Sequence, residues 1–263
     1  MKLFIHIGPH KTGSTSIQRF LSGNRAFLRT KGLLYPSYSL HDDQHFLLPL
    51  KFLNQNLFYK SLKDETDRIT VQGLIDYICQ NNKKINIISS EMFSELIVKN
   101  ISCFNEITEK LQNYFDVEIL TFKRDTSLYK KSCERHLLRV INNTNISYYL
   151  EYFNFPKIDD YPLIYDKLMN GMQHYVNSFN ENLTRVKAVI NSIKYEDDCS
   201  VRALMHYVNL CTELDLTQHI QNNCETPYRH NVDPHDDDKY NEYTKYLKNN
   251  NVFLSMNDYF KDL

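Results

Sequence analysis

The spacing of apolar residues along the first 30 positions predicts a strand, a tight turn and a helix. Residues 3–7 form a short, mostly apolar run rich in strand formers, which is typical of a buried parallel strand. Gly8-Pro9 then interrupts the run with a strong turn signal. From Thr15 the apolar residues follow one helix face, which carries Ile17, Phe20, Leu21, Phe27 and Leu28. Because the first N–H groups of a helix lack partners within it, this unit is suited to binding an anion.

The alternation of strand and helix patterns continues to about residue 140. A helix is predicted over 69–80, a buried strand over 85–88, a helix over 104–115, a strand over 117–122 and a further helix after it. Strands that alternate with helices predict a three-layer α/β/α domain with a short central parallel sheet. Residues 31–50 show little periodicity and predict a covering loop, followed by a helix that begins near His45.

The carboxyl-terminal half is predicted to be mostly helical. Helical patterns occur near 167–179 and 201–211, and a strand-like segment lies near 186–190 or 193–195. Three successive aspartates at 236–238 are expected to open a last helix, because negative charge suits a helix N-terminus.

Composition narrows the classes of protein that fit. The chain has 263 residues and a formal net charge of −1, which gives no reason to expect nucleic acid or a membrane surface as partner. The first strand begins almost at Met1, and no apolar run is long enough for a membrane span. The six cysteines form no C-x-x-C pair, so reduced thiols and a cytoplasmic location are expected. Nothing in the sequence indicates the oligomeric state.

The turn after the first strand carries most of the candidate chemistry. Its sequence is GPHKTGST, in which Lys11 supplies a positive charge and Thr12, Ser14 and Thr15 supply hydroxyl donors. The two glycines let the backbone approach a phosphate-like group. Three interpretations stay open at this point: a polar cap on an ordinary strand–helix turn, a nucleotide-hydrolysing P-loop, or a loop for another tetrahedral anion.

The order of residues distinguishes the last two interpretations. A nucleotide-hydrolysing P-loop has Gly-Lys-Ser/Thr, with the lysine after the last glycine. Here Lys11 comes before Gly13. This order resembles the 5′-phosphosulfate loop of sulfotransferases, particularly the short bacterial ones that begin H-x-G-x-x-K-T-G-[ST]-[ST]-S-[IL]-Q.

A second pattern follows one strand–helix unit later. Arg124 comes at the end of a predicted strand, and Ser132 follows eight residues on, with the aromatic Tyr129 before it. A guanidinium fork and a hydroxyl at this spacing can hold one anion. The spacing is similar to the 3′-phosphate motif of sulfotransferases. Both motifs together identify the chain as resembling the sulfotransferases that use 3′-phosphoadenosine 5′-phosphosulfate.

The resemblance implies a fold, a donor and a set of binding residues. The fold would be a single P-loop-like domain over 1–263, with a nucleotide-binding core over 1–140 and a helical completion over 141–263 that covers the acceptor. The donor would be 3′-phosphoadenosine 5′-phosphosulfate and the product 3′,5′-bisphosphoadenosine, with no metal required. The binding residues would be His10, Lys11, Thr12, Gly13, Ser14, Thr15, Ser16, Arg124, Ser132 and Arg229. For Arg229, in a late basic segment, a solvated loop is the alternative.

Sulfonyl transfer needs a base and a group that stabilises the leaving oxygen. Lys11 is the expected electrophile. Glu91 ends the predicted strand as Ser89-Ser90-Glu91, where the cytosolic members of the family place a catalytic histidine, and it is the expected general base. Its alternatives are a helix-capping role or an ion pair with Lys11 or Arg124. His45 is either a surface or helix-cap histidine or, by resemblance, an acceptor contact or alternative base; His10 could also act as base but is expected to shape the loop.

The expected acceptor is a hydroxyl, by resemblance that of a carbohydrate or glycolipid. One competing function is a kinase-like phosphotransferase, which the absent Gly-Lys-Ser/Thr order disfavours. The other is a nucleotide-binding scaffold that has kept the loop and lost catalysis.

Overall fold

The structure is a computed structural model, and it describes residues 1–9, 12–41, 43–53, 62–124, 174–195 and 200–212. All of these belong to one compact unit. The strands are β1 (Lys2–His6), β2 (Leu33–Leu34), β3 (Ile85–Ser89), β4 (Asp116–Arg124) and β5 (Val189–Tyr195). The helices are α1 (Ser14–Gly23), α2 (Arg25–Thr30), α3 (Leu47–Lys51), α4 (Lys63–Asp67), α5 (Val71–Asn81), α6 (Met92–Lys99), α7 (Ile101–Gln112) and α8 (Ser200–Cys211), and residues 174–183 are also helical.

The five strands form one parallel sheet in the order β2-β3-β1-β4-β5. The strand predicted first in the sequence therefore lies at the centre, between β3 and β4. In the pairing register His6 lies opposite Ser89 of β3 and Leu120 of β4. Because all strands are parallel, their carboxyl ends share one edge of the sheet, which is where ligands bind in open α/β sheets.

The sheet is covered by helices on both faces, as the alternating pattern predicted. On one face Phe4 packs with apolar residues of α1, α2 and α8, including Ile17, Leu28 and Leu204. On the other face Leu3 and Ile5 pack with residues of α5, α6 and α7, and with Phe179. The strand residues are buried on both faces, which explains why β1 and β3 are nearly continuous apolar runs. The three-layer α/β/α architecture is confirmed.

Local signals set several helix boundaries. The Thr70 hydroxyl accepts a hydrogen bond from the Gly73 N–H at 2.9 Å and caps α5. The Asn100 side chain accepts from the Cys103 N–H at 3.2 Å and separates α6 from α7. Such caps satisfy donors that a helix leaves open in its first turn.

Several features differ from the sequence-based prediction. The first helical pattern is two helices, because the chain leaves helical geometry at Asn24. The short edge strand β2 and the helices α4 and α6 were not predicted. The alternative strand segments near 186–195 are one strand, β5, in the sheet.

In the described part of the chain, no helix is both long and apolar enough to span a membrane.

A buried carboxylate joins three elements on the α1 face of the sheet. Glu118 of β4 is 6% exposed and pairs with Lys2 Nζ at 2.8 Å. Its other oxygen accepts hydrogen bonds from Asn191 Nδ2, at 2.6 Å, and from the Tyr207 hydroxyl of α8. The ion pair and the two hydrogen bonds offset the cost of burying this charge.

Replacing Glu118 with glutamine is expected to lower the free energy of unfolding by about 1–3 kcal/mol, because Lys2 loses its nearest carboxylate in a half-buried site. Urea denaturation measures this change. The control is Glu109→Gln, which removes the partner of Lys187 from an exposed pair and should cost less than about 1 kcal/mol. Equal losses in the two variants would contradict a structural role for the buried pair.

Candidate functional site

The turn between β1 and α1 lies at the centre of the sheet, at its carboxyl edge. Gly8 has φ of 90° and Gly13 has φ of 81°, a backbone region that favours glycine over residues with a Cβ. The Gly8 carbonyl is held by the Thr121 hydroxyl at 2.8 Å. The Gly13 carbonyl accepts from the N–H groups of Ser16 and Ile17 and from the Ser200 hydroxyl. Residues from β4 and α8 thus fix both ends of the turn.

The hydroxyl residues of this turn have different surroundings. Thr12 is 1% exposed and its hydroxyl donates to the Pro9 carbonyl at 2.6 Å, so it shapes the turn. Ser14, the first residue of α1, is 2% exposed, and its Oγ has no hydrogen-bond partner. Thr15 is exposed and Ser16 is partly buried. Ser14 therefore presents a buried hydroxyl at the N-terminus of a ten-residue helix, a position that favours anions.

Several predicted site residues are only partly defined. His10, Lys11, Ser132 and Arg229 lie outside the described residues. Arg124 is the last residue of β4 and lies at the carboxyl edge of the sheet, but only its backbone is described. The roles assigned to these five residues stay predictions.

The Ser89-Ser90-Glu91 segment connects β3 to α6 at the same edge. The Ser89 hydroxyl is 2.8 Å from His6 Nδ1, and the Ser90 N–H donates to the His6 carbonyl at 3.0 Å. The Ser90 hydroxyl accepts from the Met92 N–H at 3.1 Å and caps α6. The two serines thus hold this segment against β1 and the helix that follows. These contacts fix the position of the backbone at Glu91.

Glu91 lies beside the first helix. Its Oε2 accepts a hydrogen bond from Gln18 Nε2 at 2.9 Å, and Gln18 is 3% exposed one turn after Ser14. Its negative charge also acts on His6 and on Tyr35. Glu91 occupies the N-cap position of α6, but its side chain makes no capping hydrogen bond. The carboxylate is thus directed to α1 and the end of β1, so it does not serve as a helix cap.

His45 is not a surface or helix-cap residue, because it is fully buried. The Ser89 N–H donates to His45 Nδ1 at 3.2 Å, so Nε2 carries the proton and donates to the Pro36 carbonyl at 2.8 Å. Burial and, to a smaller extent, the Arg25 charge lower the pKa of His45 to about 3, against the opposing effect of the hydrogen bonds with Pro36 and Ser89. Both ring nitrogens are used within the protein, and this arrangement favours a structural role over a role as base.

Sequence-based reasoning missed three residues of this site. His6 and Gln18 have just been placed beside Glu91. Tyr35 follows β2, is 2% exposed and donates its hydroxyl to the Asp43 carbonyl at 2.7 Å. Burial raises the pKa of Tyr35, and the carboxylates of Asp43 and Glu91 raise it further. His6 and Gln18 are the first and last residues of the sequence pattern that resembles the sulfotransferase loop, so this pattern could have identified them. Tyr35 belongs to no such pattern.

The chain matches no family model and no curated protein sequence. The function is therefore inferred from the site itself and from the resemblance of its motifs.

Proposed function

We propose that this chain is a sulfotransferase that moves a sulfonyl group from 3′-phosphoadenosine 5′-phosphosulfate to an acceptor hydroxyl, with a carbohydrate or glycolipid as the expected acceptor class. The observation that carries this proposal is the buried Ser14 hydroxyl without a protein partner at the N-terminus of α1. It lies in a glycine-containing turn whose lysine precedes the last glycine. A tetrahedral anion with several acceptor oxygens fits these donors.

The residue types of the turn support the 5′-phosphosulfate end of such a donor as the ligand. Ser14 and the N–H groups at the start of α1 would hold its oxygens, and Lys11 would lie close to the oxygen that leaves. Arg124 and Ser132 would hold the 3′-phosphate, with Arg229 as a further contact. When bound, the donor supplies an activated sulfonyl group, and no metal is part of this proposal.

Each remaining part of the reaction has a proposed residue. Glu91 accepts the proton of the acceptor hydroxyl as the acceptor oxygen bonds to sulfur. The bond from sulfur to the 5′-phosphate oxygen breaks, and its electron pair stays on that oxygen, which gives 3′,5′-bisphosphoadenosine. Lys11 and the N–H groups of the turn stabilise the negative charge that develops there. Gln18 holds one oxygen of Glu91 and leaves the other oxygen to take the proton.

Ligand-induced stabilisation tests the donor. Without metal, 3′,5′-bisphosphoadenosine at 100 times its Kd is expected to raise the unfolding midpoint by roughly 5–10 °C, because a ligand that binds only the folded state stabilises it. Lys11→Ala and Arg124→Ala should lose most of this rise. The control is Lys110→Ala, an exposed lysine in the last turn of α7, which leads to the opposite edge of the sheet.

Three other outcomes would change the proposal. Stabilisation by magnesium-ATP alone would replace it with a kinase-like phosphotransferase. No stabilisation by either nucleotide would favour a scaffold without catalysis. A rise that survives both substitutions at the predicted anion contacts would place the nucleotide elsewhere in the protein.

A further inference from the structure

His6 is a buried histidine with no role in the proposed reaction. It is the last residue of the central strand β1 and is fully buried. Its Nδ1 is hydrogen-bonded to the Ser89 hydroxyl at 2.8 Å, whereas its Nε2 is buried and has no partner. Most buried polar side-chain atoms in proteins have a partner, and leaving one without a partner costs about 1–3 kcal/mol. A residue of this kind at the end of a central strand calls for a functional explanation.

The surroundings of His6 place it beside the anion-binding turn. Gly8, which begins the turn, is two residues further along the chain. The His6 ring packs edge to face against Phe122 with the ring centroids 5.4 Å apart, and the Phe122 N–H donates to the Gly8 carbonyl at 3.4 Å. Both Phe122 and Leu120 of β4 belong to the core on the α1 face of the sheet. His6 thus lies under α1 and next to the start of the turn.

Ser14 marks the other end of the same turn. It and Gln18 are four residues apart in α1 and share one face of that helix. Gln18 bonds to Glu91, and the Glu91 charge acts on His6. The unpartnered Nε2 of His6 and the unpartnered Oγ of Ser14 thus lie before and after the same turn, and both residues are linked to Glu91 through its charge or through Gln18 on the face of α1 that carries Ser14.

We propose that His6 is an anion-binding residue: its Nε2–H and the Ser14 hydroxyl together bind an oxygen of a tetrahedral oxyanion at the N-terminus of α1. This inference rests on the proposed function, in which that oxyanion is the 5′-phosphosulfate or the 5′-phosphate of the product. The inference requires the tautomer in which the Ser89 hydroxyl donates to Nδ1 and the proton resides on Nε2, and the 2.8 Å contact between Nδ1 and this hydroxyl is compatible with it.

A neutral donor suits this position. Burial lowers the pKa of His6 to about 4, against the opposing effect of Glu91, so the ring is uncharged at neutral pH. An uncharged imidazole gives a hydrogen bond to the anion without forming an ion pair with the Glu91 carboxylate. His6 would thus bind the anion and leave Glu91 free to accept a proton.

Two substitutions separate the two ring nitrogens. Asparagine at position 6 keeps a polar group near Nδ1 for Ser89 and removes the Nε2 donor. Glutamine carries its amide further out, near the position of Nε2. Calorimetric titration with 3′,5′-bisphosphoadenosine should show binding roughly 10- to 100-fold weaker for His6→Asn, the loss of one hydrogen bond to a charged group, and a smaller loss for His6→Gln.

The control is Asn86→Val. Asn86 is a buried residue of β3 that bonds to the Lys2 and Lys83 carbonyls at the opposite, amino-terminal part of the sheet. Its substitution should lower the unfolding midpoint without changing the affinity. Binding is measured well below the midpoint of every variant, so that lost stability is not mistaken for a lost contact.

Nitrogen-15 NMR of wild-type protein labelled in histidine gives a test that needs no variant. Addition of the nucleotide should shift the His6 Nε2 signal, with the proton on Nε2 in the complex. An unchanged signal, a proton on Nδ1 in the complex, or equal affinities for His6→Asn and wild type would each overturn the inference.

Inorganic pyrophosphate separates this inference from the proposed function. If wild type binds pyrophosphate but not the nucleotide, and His6→Asn weakens pyrophosphate binding, the oxyanion site stands and the sulfotransferase proposal fails. If wild type binds neither probe, both fail. If wild type binds the nucleotide and His6→Asn binds it equally, only the role of His6 fails.

Discussion

Replacing Glu91 with glutamine is expected to lower turnover by roughly 10²- to 10⁴-fold, the usual contribution of a general base. Glutamine keeps the shape of the side chain, and its carbonyl can still accept the hydrogen bond from Gln18. What it loses is the carboxylate that, in the proposed reaction, takes the proton from the acceptor hydroxyl. The measurement is the initial rate of 3′,5′-bisphosphoadenosine release from the phosphosulfate donor, with a hydroxyl acceptor that supports turnover by wild type.

The affinity for 3′,5′-bisphosphoadenosine decides what such a loss means. An enzyme with Glu91 as base should bind this product as wild type does, and Glu91→Ala should behave in the same way. The matched control is Glu95→Gln, which removes another buried carboxylate from α6, one that pairs with Lys99 at 3.7 Å. A turnover within a few-fold of wild type for Glu91→Gln would move the search for the base to another residue.

The strand–turn–helix unit at the start of the chain could be predicted because its signals are local. A run of five strand-forming positions, two glycines and a clear helical period define it without reference to the rest of the chain. The same holds for β3, α5, α7 and β4. The shared edge of parallel strands then follows from topology, and it brings the β1–α1 turn and Glu91 to one side of the sheet.

The parts that the sequence did not predict depend on contacts between distant residues. The strand β2 has two residues, too few for any periodicity, and it exists because it pairs with β3. His45 follows the acidic Asp43 and reads locally as a surface residue. It is buried because the segment after β2 folds back on β3, where the His45 N–H also donates to the Ser89 carbonyl at 2.8 Å.

The candidate site shows the same division. The hydroxyls of the turn were predicted as one set, but Thr12 bonds within the turn whereas Ser14 has no protein partner. The two hydroxyls differ because the backbone places them in different surroundings, which the local sequence does not reveal. In the same way, Gln18 gains a role only because α1 brings it to Glu91, which is 73 residues away in the chain.

Acidification is expected to destabilise the protein as the pH falls from about 6.5 towards 4. Burial lowers the pKa of His6 to about 4 and that of His45 to about 3, from 6.5 for an unburied histidine. Between these values the unfolded chain binds protons that the folded chain excludes, so protons favour unfolding. For each histidine the stability is at its maximum above pH 6.5 and falls by about 3 kcal/mol or more once the pH reaches the folded-state pKa.

The contacts of each ring explain why its protonation is costly. A proton on His45 Nδ1 would face the Ser89 N–H that now donates to it, and the Arg25 charge lies nearby. A proton on His6 would gain from Glu91, which opposes but does not cancel the effect of burial. The two histidines both contact Ser89, so acid is expected to loosen the carboxyl end of β3 and, with it, the position of Glu91.

Urea denaturation of wild type, His6→Asn and His45→Gln at pH 7.0, 6.0 and 5.0 measures this effect. Each substitution should flatten the pH dependence of the unfolding free energy by about 1 kcal/mol per pH unit or slightly more, since one coupled proton is removed. His206→Asn, at an exposed position of α8, serves as the control and should leave the slope as in wild type. If all three variants keep the wild-type slope, the two rings are not the groups that couple folding to pH, and the carboxyl end of β3 is then held by contacts that protons do not affect.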